Sequence, residues 1–295
     1  MRIIVLGSAA GGGFPQWNCR CGVCALYWQG DPRVRARTQS SIAVTANKEK
    51  WLLLDCSPDV RAQIMRTPAL HPPKAGRGST IEGVFLTNGD IDHTAGLLSL
   101  REDQAFVIHG TASVLAEIAR NRMFAVVSEA AVPRKTVELD RPVTMAGGLV
   151  IEPFAVPGKA PLYCESGDAG GEWTIGLRIG TGARHFYYVP GCADIDATLR
   201  ARLKDAPLVL FDGTLWRDDE MIRQGIGHKT GRRMGHVSMA GTDGAIARLG
   251  DLGIRRRIFI HINNSNPVLV DGSPERREAE AAGWEIAHDG MVIEP

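Results

Sequence analysis

The chain has 295 residues, 44% of them hydrophobic, and a formal net charge of +1. That is enough apolar sequence for one large core or two small ones, and a chain this long buries about three quarters of its surface. No basic stripe of the kind that grips phosphate backbones is present, so no nucleic-acid partner is expected, and no apolar run approaches the ~20 residues that span a bilayer, so no membrane is expected either.

The opening MRIIVLGSAAGGGFP is a short apolar run broken by glycines with no small-residue cleavage site, which is unlike a secretion signal. A cytoplasmic location is expected. Residues 2–8 read as a buried strand, and 9–39 as a long loop punctuated by Gly11, Gly12, Gly13, Pro15 and Pro32. Residues 41–46 and 51–55 read as a hairpin around Asn47 to Lys50. A short helix is predicted at 59–66 and a strand at 82–86, running into the loop TNGDIDHTAG. A strand at 106–109 and a helix at 111–121 capped by Thr111 follow. The second half has strands at 149–156, 174–179, 185–189, 208–211, 257–262 and 284–287, with helices at 194–203, 238–249 and 274–282. Each half is a run of strands followed by strand–helix alternation. That pattern predicts one α/β domain over 1–295, with two sheets packed face to face and helices outside, a four-layer αββα sandwich.

Six cysteines are present, and three crowd together as Cys19, Cys21 and Cys24 in the spacing C-x-C-x₂-C. Disulfides are not expected in a reducing compartment, where a crowded set reads as metal binding. Three thiolates within six residues can wrap one zinc ion, which supplies order that the apolar-poor loop 9–39 lacks. The competing reading, three free thiols, leaves that loop unexplained. A redox role is disfavoured because the C-x₂-C pair is not on a strand–helix turn. Spacing does not identify the fourth ligand. Such a loop is also a natural contact platform, so a homodimer is expected.

The loop after the strand at 82–86 offers Asp90, Asp92 and His93 within four residues. Adjacent Asp92 and His93 can face one ion if the backbone turns, and Gly89 and Gly96 would allow that. His261 ends a hydrophobic strand. Alone it is more often a satisfied core histidine, but beside the Asp92–His93 loop it reads as a ligand. Asp212 ends another strand, with a turn aspartate before glycine as its competing reading, and His236 precedes a helix. His71, His109, His185, His228 and His288 show no partner spacing, and Gly11–Gly13 is a weak phosphate signal. Residues 163–173 are glycine-rich and read as a lid.

The order of opening strand and glycine loop, hairpin ending in Leu54-Asp55, strand, D-H-x-x-G and late strand ending in histidine resembles the metallo-β-lactamase superfamily. Its signature H-x-H-x-D-H stands here as Asn88-x-Asp90-x-Asp92-His93, so two of three histidines are missing. The C-x-C-x₂-C insert and Gly235-His236-Val237-Ser238 resemble the branch of ribonuclease Z-like phosphodiesterases. More narrowly, GSAAGGGFPQWNCRCGVC, ARTQSSIAV, IDHTAGLLSLRE, FDGTLWRDDEM, MGHVSMAG, IHINNSNP and SPER resemble the B family of pyrroloquinoline quinone biosynthesis proteins, from Gly7 to Glu294.

That resemblance implies a role in making the quinone cofactor from a peptide-derived, crosslinked Glu–Tyr precursor. It makes Asn264 the candidate fourth zinc ligand. It also implies that the superfamily's two-metal hydrolytic apparatus is dismantled. The third histidine, due near 156–159, is missing, and Pro190-Gly191-Cys192 stands where the bridging aspartate belongs, with Asp194 displaced. Asp92, His93 and His261 survive, with Asp90 as a further oxygen donor. Two imidazoles and one carboxylate are the ligand set of non-haem iron(II) oxygenases. Iron(II) is therefore the expected central ion, although zinc, manganese or copper can replace it, and dioxygen is the expected co-substrate for hydroxylation of the tyrosine ring. His236 is expected to assist catalysis and Asp212 to orient His236 or His261. Two other functions compete: a metal-dependent phosphodiesterase, and a carrier that hands on the quinone or its precursor.

Overall fold

Alternation along the first strand sets the layering. Ile3 and Val5 face one apolar cluster while Ile4 and Leu6 face another, so the strand is buried on both sides. The computed structural model describes residues 1–73, 75–102, 104–161, 163–164, 172–182 and 184–295. Its strands are β1 (Arg2–Gly7), β2 (Ser41–Thr45), β3 (Trp51–Leu54), β4 (Ile81–Phe85), β5 (Val107–Gly110), β6 (Arg134–Thr136), β7 (Val143–Thr144), β8 (Val150–Ala155), β9 (Ile175–Thr181), β10 (Arg184–Val189), β11 (Val209–Asp212), β12 (Arg257–Ile260), β13 (Trp284–Ile286) and β14 (Val292–Ile293).

They form two seven-stranded sheets, ordered β14-β1-β2-β3-β4-β5-β6 and β13-β12-β11-β10-β9-β8-β7. In the first, β14, β1, β2 and β3 pair antiparallel, and β3 to β6 pair parallel. The second repeats this plan, antiparallel from β7 to β10 and parallel from β10 to β13. The chain's last strand thus completes the sheet that its first strand begins.

Three apolar clusters mark the interfaces between the four layers. Between the sheets, Ile3, Val5, Leu52 and Phe85 meet Ile151, Leu177, Phe186 and Ile258. Outside the first sheet, Val84 and Ile108 pack on Val60 and on Val114 and Ile118 of the helix Ala112–Arg120. Outside the second, Phe211 and Phe259 pack with Leu199, Leu249 and Ala279 from three helices. The chain therefore has the expected four-layer αββα sandwich.

Local differences from the sequence reading have physical causes. The region 9–39 is not all loop: a helix runs over Gly22–Trp28, started by the Cys21 side chain accepting from the Cys24 N–H. The helix expected at 238–249 is confined to Ala245–Leu249, because Gly241 takes φ +92° and breaks the run. The strands β6, β7 and β14 were not anticipated. They are two or three residues long and sit at or beside sheet edges, where too few residues alternate to signal a strand. Of the expected lid, residues 165–171 lie outside the described residues.

Candidate metal centre

The chain places its polar residues where the parallel strands end. Asp55 follows β3, the loop carrying Asp92 and His93 follows β4, Asp212 ends β11, and His261 follows β12. Gly89 and Gly96 do not turn the loop by adopting positive φ. The turn comes from the short helix Ile91–Thr94, with Asp90 preceding its first residue. Gly96 serves close approach: a Cβ there would lie 2.1 Å from the Ser57 carbonyl oxygen. His261 sits at φ +60°, a left-handed conformation that costs a branched-ring residue on the order of 1–3 kcal/mol. It is held there by the neighbouring Ile262 N–H donating to Ser8 O and Asn263 N–H donating to Thr214 O.

Asp92, His93 and His261 converge. His93 Nε2 is 3.2 Å from His261 Nε2, and Asp92 Oδ2 is 3.1 Å from His261 Nε2 and 3.5 Å from His93 Nε2. Atoms that share one first-row ion at about 2.1 Å adopt such separations. The far ring nitrogens are anchored. His93 Nδ1 lies 2.9 Å from Asp55 Oδ2, and a carboxylate only accepts, so His93 carries its proton on Nδ1. Asp55 is fully buried and also accepts from Thr87 N–H, Thr87 Oγ1 and Tyr188 OH. Thr214 Oγ1 lies 2.6 Å from Asp212 Oδ1 and must donate to it, so it accepts from His261 Nδ1 at 2.8 Å. Both Nε2 lone pairs then point at the same spot, a repulsive pairing that a shared cation relieves. The donor set fits a single divalent ion.

The electrostatics agree. Burial opposes a charge on His93, yet Asp55 and Asp92 outweigh it and push its pKa up to about 9. Burial raises Asp92, but the His93 charge and the His261 hydrogen bond prevail and hold the carboxylate well below its usual range. Burial lowers His261, Asp92 opposes that, and His236 adds to it. The protein therefore favours positive charge at this point, supplied by a proton or by a metal ion.

Asp90 is not part of the triangle. Its Oδ2 lies 3.4 Å from Lys159 Nζ, on the wall of the same cavity. Asn88 accepts from Asp90 N–H through its own side-chain oxygen at 2.8 Å. Asp212 binds His236 directly, Oδ2 to Nδ1 at 2.7 Å, and reaches His261 only through Thr214. The His236 and His261 rings stack at 5.1 Å. His236, Asp92, His93 and His261 all line one cavity of about 340 Å³, with Lys159 and Lys229 on its wall. Asp55, Thr214 and Lys159 lie at the site although sequence spacing did not single them out; the first had a signal, a lone carboxylate closing the apolar run Trp51–Leu54.

The Cys19, Cys21 and Cys24 sulfurs lie within 4.8 Å of one another, compatible with thiolates about 2.3 Å from a common zinc. Burial first, then the crowding of Cys24 and Cys19, pushes the Cys21 thiol up to about 12, and burial raises Cys24 as well. A cation offsets that penalty. The Asn264 amide closes the cluster, with Nδ2 at 3.2 Å from Cys19 Sγ and 3.4 Å from Cys24 Sγ. Turned over, the same amide presents its oxygen there.

A β-lactamase superfamily domain matches residues 50–262, a span that contains the whole central triad. The coenzyme PQQ synthesis protein B of Methylorubrum populi is 50% identical over 100% of both chains, and that of Xanthomonas axonopodis pv. citri is 53% identical over 99% of both. The crystal structure of zinc-bound PqqB from Methylobacterium extorquens superposes with a TM-score of 0.97 at 50% identity, covering 100% of both chains. A chain matched end to end at this identity and with this fold belongs to the β-lactamase superfamily and, within it, to the coenzyme PQQ synthesis protein B family.

Proposed function

We propose that the protein is a mononuclear metal-dependent oxygenase of pyrroloquinoline quinone biosynthesis that hydroxylates the tyrosine ring of a crosslinked Glu–Tyr precursor. The observation that carries this reading is the triangle of His93 Nε2, His261 Nε2 and Asp92 Oδ2, with sides of 3.1 to 3.5 Å, on the wall of the cavity. Two imidazoles and a carboxylate are the residues that would hold one ion here, a donor set suited to dioxygen activation. Hydrolysis by the superfamily's two-ion scheme is disfavoured, because Asn88, Asp90 and Lys159 do not make a second ion site. Iron(II) is the ion this ligand set suits, with zinc at the cysteine cluster as a structural ion.

When bound, iron(II) supplies dioxygen activation; the chain's residues do the rest. Asp55 and Thr214 fix the tautomers of His93 and His261. Asp212 holds His236 by Nδ1, leaving Nε2 to take or give a proton at the substrate phenol. One oxygen atom enters the ring and the other leaves as water, so each hydroxylation draws two electrons from an external reductant. The test is oxygen uptake by the iron(II)-loaded protein with the crosslinked precursor and ascorbate. Uptake stoichiometric with hydroxylated product supports the reading. Tight precursor binding without uptake would make the protein a carrier, and turnover of a generic phosphodiester would make it a hydrolase.

A further inference from the structure

The segment in which the resemblance expects the third metal-binding histidine puts a lysine on the cavity wall. Asn88 and Asp90 hold the places of the first two signature histidines, and the segment that should bring the third brings Lys159 instead. Its ammonium lies 3.4 Å from Asp90 Oδ2 and 3.4 Å from Ala160 O. Its stem is seated as well. Gly235 takes φ +94°, and a Cβ on it would come within 3.2 Å of Lys159 Cγ and 3.3 Å of Cε. The residue that precedes His236 is bare where the lysine passes. On the other side, Thr174 Oγ1 donates to the Lys159 carbonyl at 3.3 Å. The side chain is only 26% exposed, so this cation is held in place rather than sweeping through solvent.

Charge fixes what such a cation is for. Asp90, Asp92, Lys159 and Lys229 line the cavity, and the remaining ionisable lining residues are histidines and Tyr163. The buried Asp55 and Asp212, held against His93 and His236, offset a divalent ion at the triad, and Asp90 and Asp92 balance the two lysines, so the site as a whole is neutral and the lysines are its local cationic points. A wall with local cationic points favours an anionic group on the ligand. A lysine differs from a second metal ion in one decisive respect: it is a compact point charge that binds a carboxylate but does not acidify a water into a nucleophile. Replacing the ion with an ammonium keeps anion binding and removes hydrolysis.

We infer that Lys159 is a substrate-anchoring residue that takes over the charge of the missing second ion and binds a carboxylate of the substrate, setting the ring against the triad. The inference rests on the proposed function, in that it needs an ion at the triad and a carboxylated small molecule as substrate. Asp90, in turn, holds the ammonium ready when no substrate is bound.

The experiment measures dissociation constants by calorimetry on zinc-loaded protein, where no turnover occurs, for wild type, Lys159→Gln and Lys159→Arg. The probes are the crosslinked Glu–Tyr precursor and its carboxylate methyl esters. Lys159→Gln is expected to weaken binding of the free acid about tenfold or more, the scale of one lost charged hydrogen bond, while leaving the ester unchanged. It should also flatten the salt dependence of acid binding, and Lys159→Arg should restore most of the affinity. Metal content of the triad should be the same in all three proteins. Equal acid binding and equal acid-over-ester preference in Lys159→Gln would overturn the assignment of the lysine alone. Loss of the central ion in that variant would show a structural role and overturn it too. A wild-type protein that binds neither acid nor ester would overturn both this inference and the substrate reading beneath it.

Discussion

His261 and Asn264 stand three residues apart on the loop that leaves β12, and they face different clusters. His261 Nε2 joins the central triad at 3.2 Å from His93, while the Asn264 amide lies 3.2 Å from Cys19 Sγ. The cysteine loop is pinned to the same segment, since Ala10 N–H donates to Ile262 O and Ile262 N–H to Ser8 O. The two clusters share no ligand, yet one fixes the backbone on which the other depends.

An asymmetry in metal content follows. Cys24→Ser is expected to remove one zinc per chain and also to weaken binding at the triad by roughly 10–100-fold, the usual cost of losing an outer support of a ligand. His93→Ala is expected to remove only the central ion and leave the cysteine-bound zinc in place. Elemental analysis with a competitive chelator titration reads both. Equal triad affinity in Cys24→Ser and wild type would show that the clusters are independent.

Thr214→Val tests the hydrogen-bond junction that joins both late histidines to Asp212. The hydroxyl lies 2.6 Å from Asp212, 2.8 Å from His261 and 3.1 Å from His236. Valine keeps the shape and deletes the junction while leaving every ligand. A roughly 10–100-fold loss of central-metal affinity is expected, with folding destabilised by about 1–3 kcal/mol because buried Asp212 loses a donor. A variant that binds metal and melts as wild type would remove Thr214 from the account.

His93 gives the metal-free protein a pH signature. Its folded pKa, about 9, lies above the unfolded imidazole value of roughly 6.5. The stabilisation from its charge is therefore fully present below pH ~6.5 and is lost as pH rises through about 9, on the order of 3 kcal/mol in all. Thermal melting of metal-free protein should fall across that window, and His93→Gln should flatten the fall. With the ion bound, the proton is displaced, so metal affinity should strengthen as pH rises toward 9. A metal-free melting temperature that does not change from pH 6.5 to 9 would contradict the assigned environment.

His236→Ala separates catalysis from metal binding. The imidazole is anchored to Asp212 and stacked on His261 but is not in the triangle. The variant is expected to keep the central ion and lose about 10²–10⁴-fold in turnover, the range for a positioned acid or base. Unchanged turnover would leave His236 as a support for the His261 ring.

Much of this was legible in the residues, for identifiable reasons. Strands such as Trp51–Leu54 and Ile258–Ile260 are apolar runs bounded by turn residues, so the sandwich was visible, and a crowded Cys19-x-Cys21-x₂-Cys24 has few other uses. Asp92, His93 and His261 were legible because each ends or follows an apolar strand. Lys159 was not, because nothing in Val156-Pro157-Gly158-Lys159 marks it until Gly235, far along the chain, is seen to make room for its stem. Thr214 escaped notice because a threonine two residues beyond an aspartate is commonplace. Only the closure of β11 on β12 brings its hydroxyl to His261. Asp90 stands outside the triangle because the helical turn that begins at Ile91 separates it from Asp92.

The most direct test of the central claim is the origin of the oxygen atom in the hydroxylated product. Iron(II)-loaded protein, the crosslinked Glu–Tyr precursor and ascorbate are incubated under ¹⁸O₂ in ordinary water, and the product is weighed by mass spectrometry. One ¹⁸O atom per hydroxylation, abolished in His93→Ala, is the expected result. A hydroxyl oxygen drawn from water, or a precursor that returns unchanged while dioxygen is untouched, would contradict it.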